Sequence, residues 1–439
     1  MIDGPFKHGN FARGILIGIH VLVCCTSLFV LARHGAIGVA PSTFHLFFEL
    51  HQFPITILIV SAFAIVGAFF IFAPSTIGYF IGFYLYTMVL GYLWLNCFTD
   101  LTYNHLLAGA SAFLSFCLFL LPALLLRTPF PHPFRLSTAA FDRLLLCLLC
   151  ICILVTFAGM YYNFKLIAIE DLSTAREQIA FPKLLNYLLP VTTSSLLPFA
   201  FAGFAVRKNY FLAAFVAVLQ TLLYPVTLAK LALFAPFWLI ALFLLTRLAE
   251  FRVATILSLL LPMFIGLLAV ELSGNHSSFL FSMVNFRMIA IPALALDVYN
   301  DFFSRHELTH FCQISVLKWT MGCAYDDQLS VIMQNTYHLG YFNASFFATE
   351  GVASVGPLLS PVIAAACGLV IAIGNRSSAH LPPSFVMVSG AMLPQVFLNV
   401  PMTVALVTHG AALLFLLWAV TPCDICENGL AGHVEPSKS

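Results

Sequence analysis

The stretch Leu144–Tyr161, LLLCLLCICILVTFAGMY, contains no charged side chain and is nearly long enough to cross a bilayer as a helix, which takes about 20 apolar residues. Similar runs recur along most of the chain. Their apolar residues are continuous and do not alternate with polar ones, which favours spanning helices over a transmembrane β-barrel. The sequence therefore predicts an all-α integral membrane protein.

The composition of the 439-residue chain excludes a soluble globular enzyme, because 61% of the residues are hydrophobic and only 8% are charged. Soluble domains carry about 25% charged residues. Nucleic acid is not an expected partner either, since 19 Lys and Arg residues nearly balance 18 Asp and Glu residues and no basic stretch is present.

About twelve transmembrane helices are expected within a single membrane domain, residues 1–439. The predicted spans are Gly14–Leu31, Phe53–Phe72, Ile77–Phe98, Leu106–Leu126, Leu144–Tyr161, Leu184–Val206, Tyr210–Leu228, Leu231–Leu245, Ala254–Val270, Val352–Ile373, Phe385–Leu398 and Thr403–Val420.

Basic residues are concentrated in alternate connections between these spans, which is typical of the cytoplasmic side. This bias predicts cytoplasmic termini, with a tail at 421–439, and two enlarged outer loops at 162–183 and 271–351. The basic residues that carry it are Lys7, Arg13, Arg127, Arg135, Arg143, Arg207, Lys208, Arg247, Arg252 and Arg376.

The larger outer loop contains an apolar run, Phe279–Leu296, which predicts a membrane-dipping or half-buried segment. Arg287 interrupts this run. An arginine in apolar surroundings is costly unless it faces a partner or a water-filled cavity, so Arg287 is a functional candidate; the alternative is an interfacial arginine that reaches the lipid headgroups. The same loop collects many other polar residues, among them Asp297, Asp301, Arg305, His306, Glu307, His310, Asp326, Asp327, His338 and Glu350.

The sequence His306-Glu307-Leu308-Thr309-His310 has the form HExxH. On a helix its two histidines would share one face and hold Zn²⁺, with the glutamate as base. A membrane zinc protease is therefore one hypothesis. The alternative is a pair of surface histidines at an interface.

Three further residues suggest chemistry. Arg176 in the smaller outer loop is either a solvated charge paired with Glu177 or, with an arginine of the larger loop, one side of a pyrophosphate clamp, because the guanidinium donates paired hydrogen bonds. His338 is a candidate general base. Lys230 lies among apolar residues and either reaches the membrane interface or contacts a lipid phosphate.

Two cysteines, Cys312 and Cys323, lie in the larger outer loop. An oxidising compartment would permit a disulfide between them.

Three stretches resemble the Wzy-type oligosaccharide repeat-unit (O-antigen) polymerases of bacterial envelopes. The first runs from Arg287 through a proline to Tyr299 and a double Phe, the second from Asn343 through Glu350 to Gly356, and the third is Thr408-His409-Gly410. The two enlarged outer loops also resemble the topology of that family.

The resemblance implies a multi-pass glycosyltransferase of the bacterial inner membrane that needs no cofactor. A hydroxyl of one lipid-linked repeat unit would attack the anomeric carbon of a second glycan that is carried on undecaprenyl pyrophosphate. Undecaprenyl pyrophosphate would be the leaving group. Membrane lipids and a chain-length regulator are the further expected partners.

Residue roles follow from this resemblance together with the residue types. The catalytic candidates are Arg287, to stabilise the charge of the leaving group, and His338 or Glu350 as base. The substrate-binding candidates are Arg176, Arg305, Tyr299, Tyr337, Asn343 and Lys230.

Besides the zinc protease with His306 and His310 as ligands, two alternatives stay open. An O-antigen ligase would move the finished chain to a lipid A core by similar chemistry. A lipid-linked glycan transporter is expected to show internal repeats and charges within several spans, and neither feature is evident.

Overall fold

The computed structural model describes residues 9–36, 40–130, 135–167, 179–273, 278–314 and 317–423. Within these ranges the chain is helical and forms no β-strand, apart from an isolated bridge between Leu46 and Thr99. The prediction of an all-α membrane protein is confirmed.

The described residues form sixteen helices, with short 3₁₀ turns between some of them. They are α1 (Asn10–His34), α2 (Leu50–Phe72), α3 (Ile77–Leu95), α4 (His105–Leu125), α5 (Thr138–Tyr162), α6 (Lys183–Val206), α7 (Tyr210–Thr227), α8 (Lys230–Leu248), α9 (Phe251–Ser273), α10 (Phe279–Phe303), α11 (Leu329–Tyr337), α12 (Phe347–Ser378), α13 (Pro383–Ser389), α14 (Leu393–Asn399), α15 (Met402–Val407) and α16 (Ala411–Val420).

Eleven of these helices, within the described ranges, are long and apolar enough to cross a membrane: α1 to α10 and α12. Nine of them coincide with the first nine predicted spans, and α12 contains the tenth. The eleventh, α10, lies in the region that was predicted as the larger outer loop.

Several helices begin at a residue whose side chain caps the first turn. Thr76 accepts a hydrogen bond from the Tyr79 amide at the start of α3, and Asn104 accepts one from the Leu107 amide at the start of α4. Ser137 and Asn209 do the same for α5 and α7. Such caps satisfy amide groups that have no partner within the helix, so they fix where each helix starts.

The last two predicted spans, Phe385–Leu398 and Thr403–Val420, are not continuous helices. Breaks near Gly390, Pro401 and Gly410 divide them into four short helices, α13 to α16. Pro401 has no amide hydrogen to donate, so it interrupts the helical hydrogen bonds. Gly410 adopts a positive φ of 74°, a conformation that favours glycine, and the next helix begins after it. Apolar composition alone did not reveal these breaks.

The chain divides into two compact units. Unit 1 contains Met1–Leu126, Leu248–Ala372 and Pro394–Thr403. Unit 2 contains Arg127–Arg247, Ile373–Leu393 and Val404–Ser439.

Helix α3 is the centre of unit 1, and every one of its residues is buried. Two of its polar side chains find neutral partners on neighbouring helices. The Tyr84 hydroxyl lies 2.9 Å from the Ser258 hydroxyl of α9, and the Thr87 hydroxyl lies 2.8 Å from the His20 imidazole of α1. Satisfying buried polar groups in this way avoids their desolvation cost.

Unit 1 has two ends, which are identified by side-chain and backbone contacts. At the first, called the Arg13 end, Arg13 pairs with Glu250 at 3.4 Å and Arg252 donates to the carbonyl of Ala73. At the second, called the His45 end, the connections 40–49 and 96–104 pair through their backbones, with the Phe47 amide donating to the Phe98 carbonyl at 2.8 Å.

Helix α10 touches the His45 end at two places along its length. The Phe286 ring lies 5.1 Å from the Phe44 ring of the first connection, and the Asp301 carboxylate accepts from the Thr102 amide of the second. These positions are about 22 Å apart along the helix axis at 1.5 Å per residue. Although α10 is long enough to span a membrane, it lies along one end of unit 1.

Unit 2 is built around α6. Helices α5 and α6 approach closely at Gly203, where a Cβ atom would lie 2.5 Å from the Leu145 side chain of α5. In the same unit the Trp418 indole donates to the Ser389 hydroxyl at 2.8 Å, which ties α16 to α13. Buried Ser194 and Ser195 of α6 bind the ring and the carbonyl of His409 at 3.0 and 2.7 Å.

Candidate functional site

Two fully buried aspartates, Asp297 and Asp301, lie one turn apart near the C-terminal end of α10. A spacing of four residues places both carboxylates on the same face of the helix. A buried carboxylate needs hydrogen-bond donors or a cation, so the surroundings of these two groups decide what the site can do.

Asp301 is well satisfied. Its carboxylate pairs with the Arg305 guanidinium, accepts a hydrogen bond from the Tyr337 hydroxyl at 2.5 Å, and accepts another from the Thr102 amide at 3.0 Å. It therefore joins three parts of unit 1: the end of α10, the end of α11 and the connection 96–104. Its role in the fold is to hold the segment after α10 in place.

Asp297 is less well satisfied. The Tyr103 hydroxyl donates to one carboxylate oxygen, and that hydroxyl also lies 2.8 Å from Asn96 and 3.4 Å from the Tyr92 hydroxyl. The second oxygen of Asp297 is buried and has no hydrogen-bond partner among the described residues. His105 extends the network through a 3.0 Å contact with Asn96.

The two tyrosines that donate to these aspartates, Tyr103 to Asp297 and Tyr337 to Asp301, remain neutral donors at ordinary pH. Burial raises the pKa of Tyr103, and the neighbouring Asp297 charge raises it further. Burial, together with the hydrogen bond and charge of Asp301, likewise raises the pKa of Tyr337.

Arg287 lies in a π-helical segment of α10, Ser282–Ala290, and is partly exposed. Within the described parts of the chain, its guanidinium forms no hydrogen bond or ion pair. π-Helical turns occur often at functional sites, because they widen the helix and redirect one side chain. Arg287 is thus a cation whose donors are available to a ligand.

Glu350 lies in a second π-helical segment, Phe347–Ala353, at the start of α12, and it is buried. Its carboxylate accepts hydrogen bonds from the Thr349 hydroxyl at 2.5 Å and from the Thr403 amide at 3.2 Å. No lysine, arginine or histidine of the described ranges pairs with it. A carboxylate without a cationic partner can accept a proton from a bound hydroxyl.

The structure packs the regions around Arg287 and Glu350 into one unit. The Tyr299 hydroxyl of α10 donates to the Phe342 carbonyl at 3.4 Å. After α10, the Thr309 amide donates to the Ala353 carbonyl at 2.8 Å, and its hydroxyl lies 3.0 Å from Ser354. Two stretches whose contacting residues are 43 and 45 positions apart in the sequence are therefore neighbours.

A third stretch, residues 394–403, contacts both regions. The Gln395 side chain donates to the sulfur of Met288, which follows Arg287, at 2.9 Å. At its other end, Thr403 binds Glu350. The three stretches together carry Arg287 and Glu350 on π-helical turns within unit 1.

His338 does not lie in this buried site. It is exposed, follows the last residue of α11, and adopts a positive φ of 56° as the residue that ends that helix.

The HExxH residues 306–310 do not form a helix, so the one-turn spacing that a zinc site needs is absent. Helix α10 ends at Phe303, and His310 has a positive φ of 47°. The His306 ring stacks on the Phe302 ring at 3.9 Å, and its Nδ1 contacts the Phe302 carbonyl. No cluster of three or more potential metal ligands occurs in the described ranges. The expected helical zinc motif is therefore wrong.

The remaining substrate-binding candidates are dispersed. Asn343 is exposed, Tyr299 is buried, and Arg305 is half exposed beside Asp301. Lys230 begins α8 in unit 2, and Arg176 lies outside the described residues.

Cys312 and Cys323 form a disulfide in the segment between α10 and α11, with their Cα atoms 5.3 Å apart. The pairing that the sequence permitted is thus present. Disulfides persist in oxidising compartments, which bears on the side of the membrane that this segment faces.

Several residues of the site were not selected from the sequence. The four-residue spacing of Asp297 and Asp301 within an apolar run was a usable signal for one helix face. Their partner Tyr103 lies 194 residues before Asp297, and no local pattern connects the two.

No protein-family model, no curated protein and no solved structure matches this chain. The chemistry must therefore be inferred from the residues of the site.

Proposed function

We propose that this protein is an oligosaccharide repeat-unit polymerase that joins lipid-linked glycans on the outer face of the bacterial inner membrane. The observation that carries the proposal is the packing of two stretches that resemble the Wzy-type polymerases, 287–304 and 343–356, against each other in unit 1, through Ile291–Phe303 and Phe347–Ala353. Each stretch supplies one charged side chain on a π-helical turn, Arg287 and Glu350.

These two side chains suit the two charge movements of glycosyl transfer. The acceptor hydroxyl oxygen forms a bond to the anomeric carbon of the donor sugar, and the bond between that carbon and the pyrophosphate oxygen breaks. The electron pair leaves with undecaprenyl pyrophosphate, whose developing charge Arg287 stabilises. The acceptor proton passes to the carboxylate of Glu350.

Glu350 is a better base than His338 for this reaction. It is buried among hydroxyl and amide donors, which hold the carboxylate in one orientation. His338 is exposed and held by its backbone at the end of α11, where bulk water competes for any proton.

The disulfide supports the outer face as the place of reaction. Cys312 and Cys323 belong to the segment that Asp301 and Tyr337 attach to the His45 end. If this segment lies in the oxidising periplasm, the His45 end faces outward, where flipped lipid-linked glycans are found.

The test is complementation of a strain that lacks the gene, scored as glycan ladders on gels. We expect the deletion strain to carry single repeat units only and the wild-type chain to restore the ladder. Arg287→Gln and Glu350→Gln should reduce polymer by roughly 10²-fold or more, since each removes a group that acts in the transition state.

Two exposed charges provide matched controls. Arg33→Gln and Glu271→Gln make the same changes outside the site and should restore the ladder fully, with immunoblots showing equal amounts of each protein in the membrane. An unchanged ladder in the deletion strain would overturn the proposal. A ladder that forms on the lipid carrier but is missing from lipid A would instead identify a ligase.

A further inference from the structure

An open cavity of about 310 Å³ lies at the His45 end of unit 1. The connections 40–49 and 96–104 form its walls together with the start of α2, and the backbone pairing of Phe47 with Phe98 holds them together. Neither Arg287 nor Glu350 lines this cavity. Its volume is at the lower limit for small-ligand sites, roughly 300–1,000 Å³.

The lining of the cavity combines polar acceptors with an aromatic face. Glu49 and Asp100 contribute carboxylates that are about half exposed, at 56% and 49%, and Gln52 contributes an amide. Phe47 is 46% exposed. Carboxylates accept hydrogen bonds from hydroxyl groups, an amide both donates and accepts, and an aromatic face covers apolar C–H groups.

No lysine or arginine lines the cavity within the described part of the chain. Each carboxylate contacts a histidine outside the lining, Glu49 with His51 and Asp100 with His45, and with no lysine or arginine in the lining the two carboxylates disfavour a phosphate or pyrophosphate group. The same carboxylates form strong hydrogen bonds with neutral hydroxyls. The lining therefore favours a neutral ligand with many hydroxyl groups.

The cavity is also connected to the buried site. Thr99 lines the cavity, and its side chain lies beside Asp297, the aspartate with an unsatisfied oxygen. The next residue, Asp100, is held at two points. Its carboxylate lies 2.9 Å from the His45 ring nitrogen Nδ1, and its backbone amide donates a hydrogen bond to the His45 carbonyl. The carboxylate of Asp100 is thus positioned before any ligand binds, which lowers the entropic cost of binding.

We propose that this cavity binds one sugar ring of the lipid-linked glycan, away from the bond that reacts. The inference rests on the proposed polymerase function and names a subsite for its substrate. The hydroxyls of the sugar donate to Glu49 and Asp100, and its apolar face lies on Phe47. The pyrophosphate end of the substrate is left to Arg287.

The first experiment measures binding of the repeat-unit oligosaccharide, released from its lipid carrier by mild acid, to the full chain in lipid nanodiscs. Wild type should show saturable binding. Glu49→Gln and Asp100→Asn should each weaken it about tenfold, the effect of losing one hydrogen bond to a charged group. Phe47→Leu, which removes the aromatic face but keeps an apolar side chain, should weaken it as well.

The control is Glu271→Gln, which makes the same change at an exposed carboxylate that does not line the cavity. It should bind the oligosaccharide as wild type does. Because the varied carboxylates are half exposed, they are not needed for folding, and a thermal melt of each variant verifies this.

The second experiment returns the same variants to the deletion strain and compares their ladders. Short ladders from Glu49→Gln and Asp100→Asn, together with weak binding, support the subsite. Normal ladders and normal binding in these variants, in a strain whose deletion abolishes the ladder, would overturn the subsite and leave the polymerase intact. A ladder that survives the deletion itself would overturn both.

Discussion

At the scale of single residues, Tyr337 shows how a buried carboxylate organises the outer segment. Its hydroxyl is one of three donors to Asp301 and links α11 to the end of α10. Tyr337→Phe removes this donor without leaving a cavity. We expect a loss of roughly 1–2 kcal/mol in the free energy of unfolding, less than for a fully buried charged hydrogen bond because Tyr337 is only half-buried.

Thermal unfolding of the purified protein in detergent measures this effect. Tyr161→Phe serves as the control, since Tyr161 is 85% exposed. Equal melting temperatures for the two variants would show that the bond from Tyr337 to Asp301 contributes nothing measurable to stability.

The sequence was most informative about which single residues are candidates for function. Arg287 was selected because a charged side chain in an apolar run is costly unless it has a partner or faces water. Among the described residues, the structure leaves its hydrogen-bond donors available. Asp297 carried a comparable signal and was not selected. Its importance depends on Tyr103 and Asn96, and a contact between residues so far apart along the chain leaves no trace in local pattern.

At the scale of elements, α9 and α10 pack closely because Gly266 has no side chain. A Cβ atom there would lie 1.9 Å from the Asn285 amide oxygen. Asn285 cannot move freely, because its nitrogen donates to the Ser27 hydroxyl and to the Met263 carbonyl. Gly266→Ala should therefore displace α10 and cost about 1–3 kcal/mol, as overpacking in a core does.

Gly18→Ala is the matched control, since a Cβ atom in that helix meets nothing within 4 Å. It should leave stability unchanged or raise it by about 0.5–1 kcal/mol. Because α10 carries Arg287, Gly266→Ala should also shorten the glycan ladder if the proposed function holds. A Gly266→Ala protein as stable as the Gly18→Ala protein would contradict the close packing of α9 against α10.

The disulfide is a second element with a direct test. Lys318 is exposed and lies between Cys312 and Cys323, so trypsin that cuts after Lys318 leaves two fragments joined by the disulfide. They should migrate together on a non-reducing gel and separate on a reducing one. The Cys312→Ser/Cys323→Ser variant should separate in both and be cut faster, since the closed loop contributes about 3 kcal/mol of constraint.

Replacing Cys147, a free and exposed cysteine, with serine should change neither result. Separation of the wild-type fragments without a reducing agent would show that the two cysteines are not paired.

Element boundaries could be predicted only in part. Continuous apolar runs located α1 to α9 well, because the bilayer sets the length of a spanning helix. The π-helical turns at Ser282–Ala290 and Phe347–Ala353 gave no such signal, since one extra residue in a turn does not alter hydropathy. The zinc motif was wrongly predicted from the HExxH sequence because only a helix brings the two histidines onto one face. Here α10 ends at Phe303, before the motif begins.

At the scale of the whole molecule, the path of α10 decides which side the following segment faces. Length and composition allow α10 to cross the membrane. Its contacts with Phe44 and Thr102 instead keep it along the His45 end of unit 1. If α10 does not cross, the basic residues that carry the charge bias, Arg376 included, all lie on one side of the membrane. This arrangement satisfies the positive-inside rule.

Labelling of intact spheroplasts with a membrane-impermeant maleimide separates the two arrangements. Ser273→Cys lies just before α10 and Ser304→Cys just after it, and both side chains are exposed. We expect both cysteines to react from outside, with the labelled peptides identified by mass spectrometry. Ser75→Cys, in the connection at the Arg13 end, should react only after permeabilisation.

The orientation matters because the proposed chemistry needs Arg287, Glu350 and the disulfide-bearing segment on the same, outer side. If α10 lies along the outer end, both flanks of the helix are open to the periplasm and its π-helical turn faces substrate that has already been flipped. Reaction of Ser273→Cys from outside but Ser304→Cys only after permeabilisation would mean that α10 crosses. Cys312 and Cys323 would then lie in the reducing cytoplasm, where a stable disulfide is not expected, and the outward-facing site would have to be abandoned.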